Sequence, residues 1–138
     1  MFKKKKNEIN PAQVVIPANH PNPPEPHEVD AAHLLANHYK CTVSFLVPID
    51  DFKRKTADIV MLGSIWEIKS PIGSSKHTIS NQFKVASRQA RNIILDTRRT
   101  SLTDEQIEKS AINELKIRTR TKKLIIINKL DKIVEIHK

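Results

Sequence analysis

Asp58, Glu67 and Lys69 are the residues of this chain best placed to do chemistry together. They lie in the stretch from 56 to 69, Thr-Ala-Asp-Ile-Val-Met-Leu-Gly-Ser-Ile-Trp-Glu-Ile-Lys, which reads as a β-hairpin. Gly63-Ser64 is the expected turn, a two-residue II′ connection with glycine first. That loop would pair Leu62 with Ile65, Val60 with Glu67 and Asp58 with Lys69. Because side chains alternate along a strand, Asp58, Glu67 and Lys69 then share one face within roughly 5 to 8 Å. Ile59, Met61, Trp66 and Ile68 share the other face, which is the core side. Among Val60, Leu62 and Ile65, two carboxylates and an amine would be partly buried and their proton affinities perturbed. The plainer alternative is a cross-strand ion pair on a solvated face, which is worth little to stability.

The spacing D-x8-E-x-K resembles the metal-binding heart of the PD-(D/E)XK nucleases. In those enzymes two carboxylates hold a divalent cation and the lysine orients or polarises the attacking water. The order of elements agrees, because an acidic helix precedes the hairpin, a polar helix follows it, and a buried strand comes next. That succession is αβββαβ.

The helix before the hairpin opens at His27-Glu28, with Val29, Ala32, Leu35, Ala36 and Tyr39 at helical spacing. Glu28 falls on the same inward face, either as a partner of the helix dipole or as an extra ligand at the site. His27, His33 and His38 lack the i, i+4 spacing of a helical metal pair, so His33 joins the site only if the fold brings it there. A strand over 42–47 ends at Pro48, and the charged stretch 50–55 leads into the hairpin. After Lys69, a polar loop with Ser74, Ser75 and Lys76 begins a helix over about 76–91. Its free amides, its dipole and Lys76 offer a place for a phosphate, while Ser74 or Ser75 as a simple cap explains the same residues. The helix buries Ile79, Phe83, Ala86 and Ala90. Ile93, Ile94 and Leu95 with Asp96 form a short buried strand. Thr103 and Gln106 make a capping box, with Leu102 and Ile107 as its staple, so a helix spans about 104–115. Strands over 123–128 and 133–136 close the fold.

Composition sets the partners. The chain has 138 residues, 24 Lys and Arg against 15 Asp and Glu, and a net charge of +9. Residues 1–26 carry a lysine tuft at 3–6 and six of the eight prolines, and read as a flexible, basic, proline-rich arm. Residues 27–138 form the single folded domain, whose core is modest at this length. The arm holds four lysines and two glutamates, so most of the positive excess belongs to the domain and favours a polyanionic partner such as nucleic acid, while a membrane surface or an acidic protein fits the same charge. Basic residues gather at Lys53-Arg54-Lys55, at Arg88, Arg91, Arg98 and Arg99, and over 116–123; dispersed cations of this kind suit phosphate contacts. Few aromatics are present, and Trp66 faces the core, so no base-stacking platform is visible. Cys41 is alone, which excludes a disulfide framework and a cysteine-rich zinc site. The lysine tuft is followed by no apolar stretch, so no signal peptide is expected, and no window has the roughly 20 apolar residues of a membrane span.

The stretches Ala57-Asp58-Ile59, Trp66 through Pro71, Gly73 through Lys76 and Asn92 through Arg98 resemble the C-terminal tRNA-nuclease domain of CdiA-type contact-dependent growth inhibition toxins. The resemblance covers about residues 27–138. It implies a bacterial toxin RNase that cleaves tRNA in the cytoplasm and is paired with an immunity protein. It implies a single small α+β domain in which a mixed sheet with a central hairpin is flanked by about three helices. Some such toxins have a barnase/EndoU/colicin/RelE-like fold and need no metal, and others belong to the PD-(D/E)XK group. Asp58, Glu67 and Lys69 are the matching catalytic positions, with Ser74, Ser75, Lys76, Thr78 and Arg88 as substrate-binding candidates and Glu28 and His33 as further candidates. Asp58 and Glu67 would bind Mg²⁺ in the metal-dependent reading. Without metal, a 2′-hydroxyl attacks its own phosphate while Lys69 and a loop hydroxyl stabilise the charge. A Mg-dependent DNA nuclease and a non-enzymatic nucleic-acid or partner-binding module of a mobile element are the alternatives.

Overall fold

The computed structural model describes residues 12–18, 23–47 and 58–137. The lysine tuft at 3–6, the stretch 50–55 and the basic run Lys53-Arg54-Lys55 lie outside the described residues. Among the described residues, seven strands form one mixed sheet ordered as they occur in the chain. These are β1 (Gln13–Val15), β2 (Thr42–Phe45), β3 (Ile59–Met61), β4 (Ser64–Lys69), β5 (Asn92–Asp96), β6 (Lys123–Ile127) and β7 (Ile133–Ile136). Three helices accompany them: α1 (Pro26–Tyr39), α2 (Thr78–Ala86) and α3 (Asp104–Ile117). From α1 to β5 the order is αβββαβ, as the sequence implies. β4, β5 and β6 run parallel, whereas β2, β3 and β4 form an antiparallel meander.

The sheet has a core on each face. On one side α1 places Ala32, Leu35 and Ala36 against Val43, Ile59, Met61, Trp66, Ile68, Ile94 and Ile125. On the other, α2 and α3 place Ile79, Phe83, Ile107 and Leu115 against Ile93, Leu95, Leu124 and Ile126. Successive residues of β5 and β6 alternate between the two cores, which is why these strands are almost uninterrupted Ile and Leu. The Thr103–Gln106 capping box forms as expected: Gln106 N donates to Thr103 Oγ1 at 3.2 Å and Thr103 N donates to Gln106 Oε1 at 2.9 Å.

Three expectations need correction. The hairpin turns at Leu62-Gly63, with φ of 54° and 74°, so both central residues are left-handed as in a type I′ turn. The register is therefore Val60 with Ile65 and Met61 with Ser64, two residues away from that expected for a Gly63-Ser64 turn. Helix α2 is shorter than 76–91. Ser75 and His77 are taken up by a capping turn, and after Ala86 the chain tightens into three-residue turns, with Arg88 N donating to Val85 O and Gln89 N to Ala86 O. Finally, the segment read as an arm supplies β1, which pairs parallel with β2 and packs Ala12 and Val14 against the α1-side core. Pro26 is the first residue of α1, where its missing N–H costs nothing.

Candidate active site

A slip of two residues keeps every side chain on its face. Glu67 and Lys69 therefore still project away from Trp66 and Ile68, toward the α2 side, as the sequence suggests. The environment is drier than a solvated hairpin face. Glu67 is 3% exposed, and its Oε2 lies 3.3 Å from Lys69 Nζ. Asp58, just ahead of β3, accepts the Ile68 N–H through Oδ2 at 2.9 Å, which fixes its carboxylate beside β4. Glu67 Oε1 is buried and has no hydrogen-bond partner.

Charge explains what this pocket holds. Burial, then the Asp58 charge, push the Glu67 carboxyl from 4.5 up to about 8, against the downward pull of Lys69. Burial also raises Asp58, with the negative charge of Glu28 adding to it and the Ile68 N–H and Lys69 opposing it. Burial and the mutual repulsion of the two carboxylates therefore both favour keeping a proton on Glu67. A buried Glu67 beside a half-buried Asp58, with one unpaired Glu67 oxygen, is chemically suited to a divalent cation that would replace the proton. Among the described residues no set of three or more His, Cys, Asp or Glu side chains converges on one point. Remaining ligands would come from water and substrate oxygens, as Mg²⁺ prefers.

The other candidates fall in different places. Glu28 is near enough for its charge to act on Asp58, while its Oε1 accepts the Glu25 N–H at 2.7 Å as part of the α1 capping box. His33 is exposed on α1, whose inward face is formed by Ala32, Leu35 and Ala36. Ser74, Ser75 and Lys76 are exposed in the loop that leaves β4 directly after Lys69. Thr78 is buried, and its hydroxyl accepts the Ser75 N–H at 3.0 Å, so it organises the loop. Arg88 is exposed beyond the far end of α2, which runs back along parallel β4 and β5; it stands near the N-terminal ends of these strands.

The basic clusters also divide. Arg91 precedes β5 whereas Arg98 and Arg99 follow it, so the strand sends them to opposite ends of the sheet. Arg98 is an internal clamp. Its Nε and Nη2 donate to both oxygens of Asp96, which is 1% exposed, at 2.9 Å each, and its Nη1 donates to Asp30 of α1 at 2.5 Å. This clamp fixes the start of α1, and hence Glu28, against the C-terminal end of β5. Sequence reasoning placed Arg98 in a surface run; Asp30 lies 68 residues away and nothing local announces the pairing.

Comparison with known proteins agrees with this architecture. The family model for the contact-dependent growth inhibition CdiA C-terminal domain matches residues 55–133, a span that includes Asp58, Glu67, Lys69 and the whole of β3 to β6. No curated protein matches the sequence significantly. The solved CdiA-CT/CdiI toxin and immunity complex from Burkholderia pseudomallei contains a chain similar in fold, with a TM-score of 0.68 and 22% identity over 91% of this chain and 99% of that one. With more than half of its residues matched by the family model, this chain belongs to the CdiA C-terminal toxin domains of contact-dependent growth inhibition.

Proposed function

We propose that this toxin domain is a nuclease that cleaves RNA, with tRNA as its substrate, and that Asp58, Glu67 and Lys69 form its active site. The observation that carries the reading is buried Glu67 beside half-buried Asp58, with a free Glu67 oxygen and Lys69 Nζ at 3.3 Å. Asp58 and Glu67 would hold Mg²⁺, which supplies Lewis-acid stabilisation of phosphoryl charge and a more acidic bound water. Asp58 is held in place by the Ile68 N–H, so its ligand oxygen is preorganised. Lys69, on the same strand face two residues on, orients the attacking water and offsets negative charge that develops on the phosphate. Exposed Ser74, Ser75 and Lys76 border the approach to Lys69 and would contact the substrate backbone.

RNA rather than DNA is supported by the resemblance to tRNA-nuclease toxin domains, and a polyanionic substrate by the net charge of +9. An immunity protein is the second partner proposed, by analogy with the solved toxin and immunity complex. The site of action proposed is the cytoplasm of the target cell. One observation favours a metal-free route as the second reading: a Glu67 carboxyl raised to about 8 can give and take a proton near neutrality, as attack by a 2′-hydroxyl requires.

Incubating the purified protein with total RNA and with plasmid DNA, each with and without EDTA, tests these readings. RNA cleavage abolished by EDTA and restored by Mg²⁺ is the expected result. Cleavage that survives EDTA and leaves a cyclic phosphate assigns the second route, and failure to cut either polymer under both conditions refutes the nuclease proposal.

A further inference from the structure

A cavity of about 300 Å³ opens at the C-terminal end of α1, between Tyr39, Trp66, Lys123, Glu135, Ile136 and His137. Trp66 and Ile125 in its wall belong to the α1-side core, so it lies on the sheet face opposite Glu67. The volume is at the low end of the roughly 300 to 1,000 Å³ of small-molecule sites, enough for one ring system. The floor is apolar, and the Trp66 indole N–H is already donated to Met61 O at 3.1 Å. Over it stands one organised acceptor. The Tyr39 hydroxyl donates to Glu135 Oε2 at 2.5 Å, a contact between residues 96 positions apart that holds the carboxylate in place. The rim carries two exposed cations, Lys122 and Lys123, and the exposed His137, whose Nε2 lies 3.8 Å from Glu135 Oε1.

Further basic residues lie near the rim of the cavity. Lys122 N donates to Arg91 O at 2.7 Å, which joins the segments that precede β5 and β6. Arg91 and Arg120 line a shallow depression with Ser64 and Ile65, and Ile65 shares the strand face of Glu67.

We propose that this cavity is a subsite for one unstacked guanine nucleotide: the base lies on the apolar floor, its N1–H and N2–H edge donates to Glu135, and its phosphate rests on Lys122 and Lys123. A carboxylate accepts only, and guanine is the base whose pairing edge presents two adjacent donors. Its role as a substrate-anchoring site rests on the nuclease reading, whereas the binding itself does not.

Trp66 is the single tryptophan of the chain, so its fluorescence reports directly on the cavity. The full chain is titrated with GMP, AMP, UMP and inorganic phosphate, and cleavage of total RNA is followed in parallel. A saturable response to GMP is expected, at least tenfold tighter than to UMP or AMP. Glu135→Gln should remove the preference for GMP. The double change K122E and K123E, at exposed positions, should weaken GMP binding at least tenfold, with unchanged melting temperatures as the control on folding. No response to any nucleotide, or equal responses to GMP and inorganic phosphate, overturns the proposal. Cleavage without a fluorescence response refutes the subsite and leaves the nuclease; a response without cleavage does the reverse.

Discussion

Replacing Glu67 by Gln should make the protein more stable in alkali than the wild type. The Glu67 carboxyl is raised from 4.5 to about 8, first by burial and then by the Asp58 charge. A group whose proton affinity rises on folding stabilises the fold at low pH, and that stability is lost as pH climbs toward the folded value. Between about pH 4.5 and 8 the wild type therefore loses stability at this site, and at about 1.4 kcal/mol per unit the loss is on the order of 5 kcal/mol. The substituted amide cannot ionise and keeps the shape of the protonated acid. The difference in melting temperature, variant minus wild type, should be near zero at pH 5 and should grow to roughly 10 °C or more by pH 9, taking about 2 to 4 °C per kcal/mol. Taking the difference between the two proteins cancels groups elsewhere that titrate in the same range. Added Mg²⁺ should raise the melting temperature of the wild type at alkaline pH and leave the variant unmoved, since only the carboxylate pair gains from the cation. A pH-independent difference, or a variant less stable than wild type at pH 9, would refute the description of Glu67 as a buried acid held protonated.

Three further outcomes follow from packing. Lys69→Ala should lower cleavage by at least about a hundredfold and should also cost about 1 to 3 kcal/mol at pH 8 by chemical denaturation, because Glu67 would keep its burial and lose its counter-charge; unchanged activity would remove Lys69 from the site. Arg98→Met should destabilise the fold by about 3 to 5 kcal/mol in the same assay, since Asp96 would be left unpaired in the interior; a loss below about 1 kcal/mol would show that the clamp is dispensable. Deleting residues 1–18 removes β1 and should cost about 1 to 3 kcal/mol through the lost packing of Ala12 and Val14, whereas an unchanged denaturation midpoint would mean that the edge strand contributes nothing.

The shared face of Asp58, Glu67 and Lys69 was legible because it depends on parity alone. Alternation puts Asp58, Glu67 and Lys69 on one side for any even shift of register, and the shift was two residues. The turn itself was not legible, since it places Leu62 in the left-handed region, which non-glycine residues with bulky side chains rarely enter. Helix α3 could be read from Thr103 and Gln106 because capping is a local interaction. Strand β1 could not, because three residues between prolines gain their structure only from pairing with Thr42–Phe45. The depth of Glu67 was missed for a related reason: α2 and the parallel neighbour β5 cover a face that a lone hairpin would leave in water. Contacts such as Arg98 with Asp30 and Tyr39 with Glu135 join residues far apart in the chain, and no sequence window contains both partners.

In the proposed mechanism Glu67 acts on the phosphodiester and does not merely stabilise the domain. Single-turnover cleavage of end-labelled tRNA in Mg²⁺, by wild type and by Glu67→Gln, tests it most directly. The substitution preserves the side-chain volume, so the rate should fall at least about a thousandfold, with tRNA affinity equal or higher because a negative charge beside the phosphate has been removed. Cleavage by the variant at the wild-type rate would contradict it.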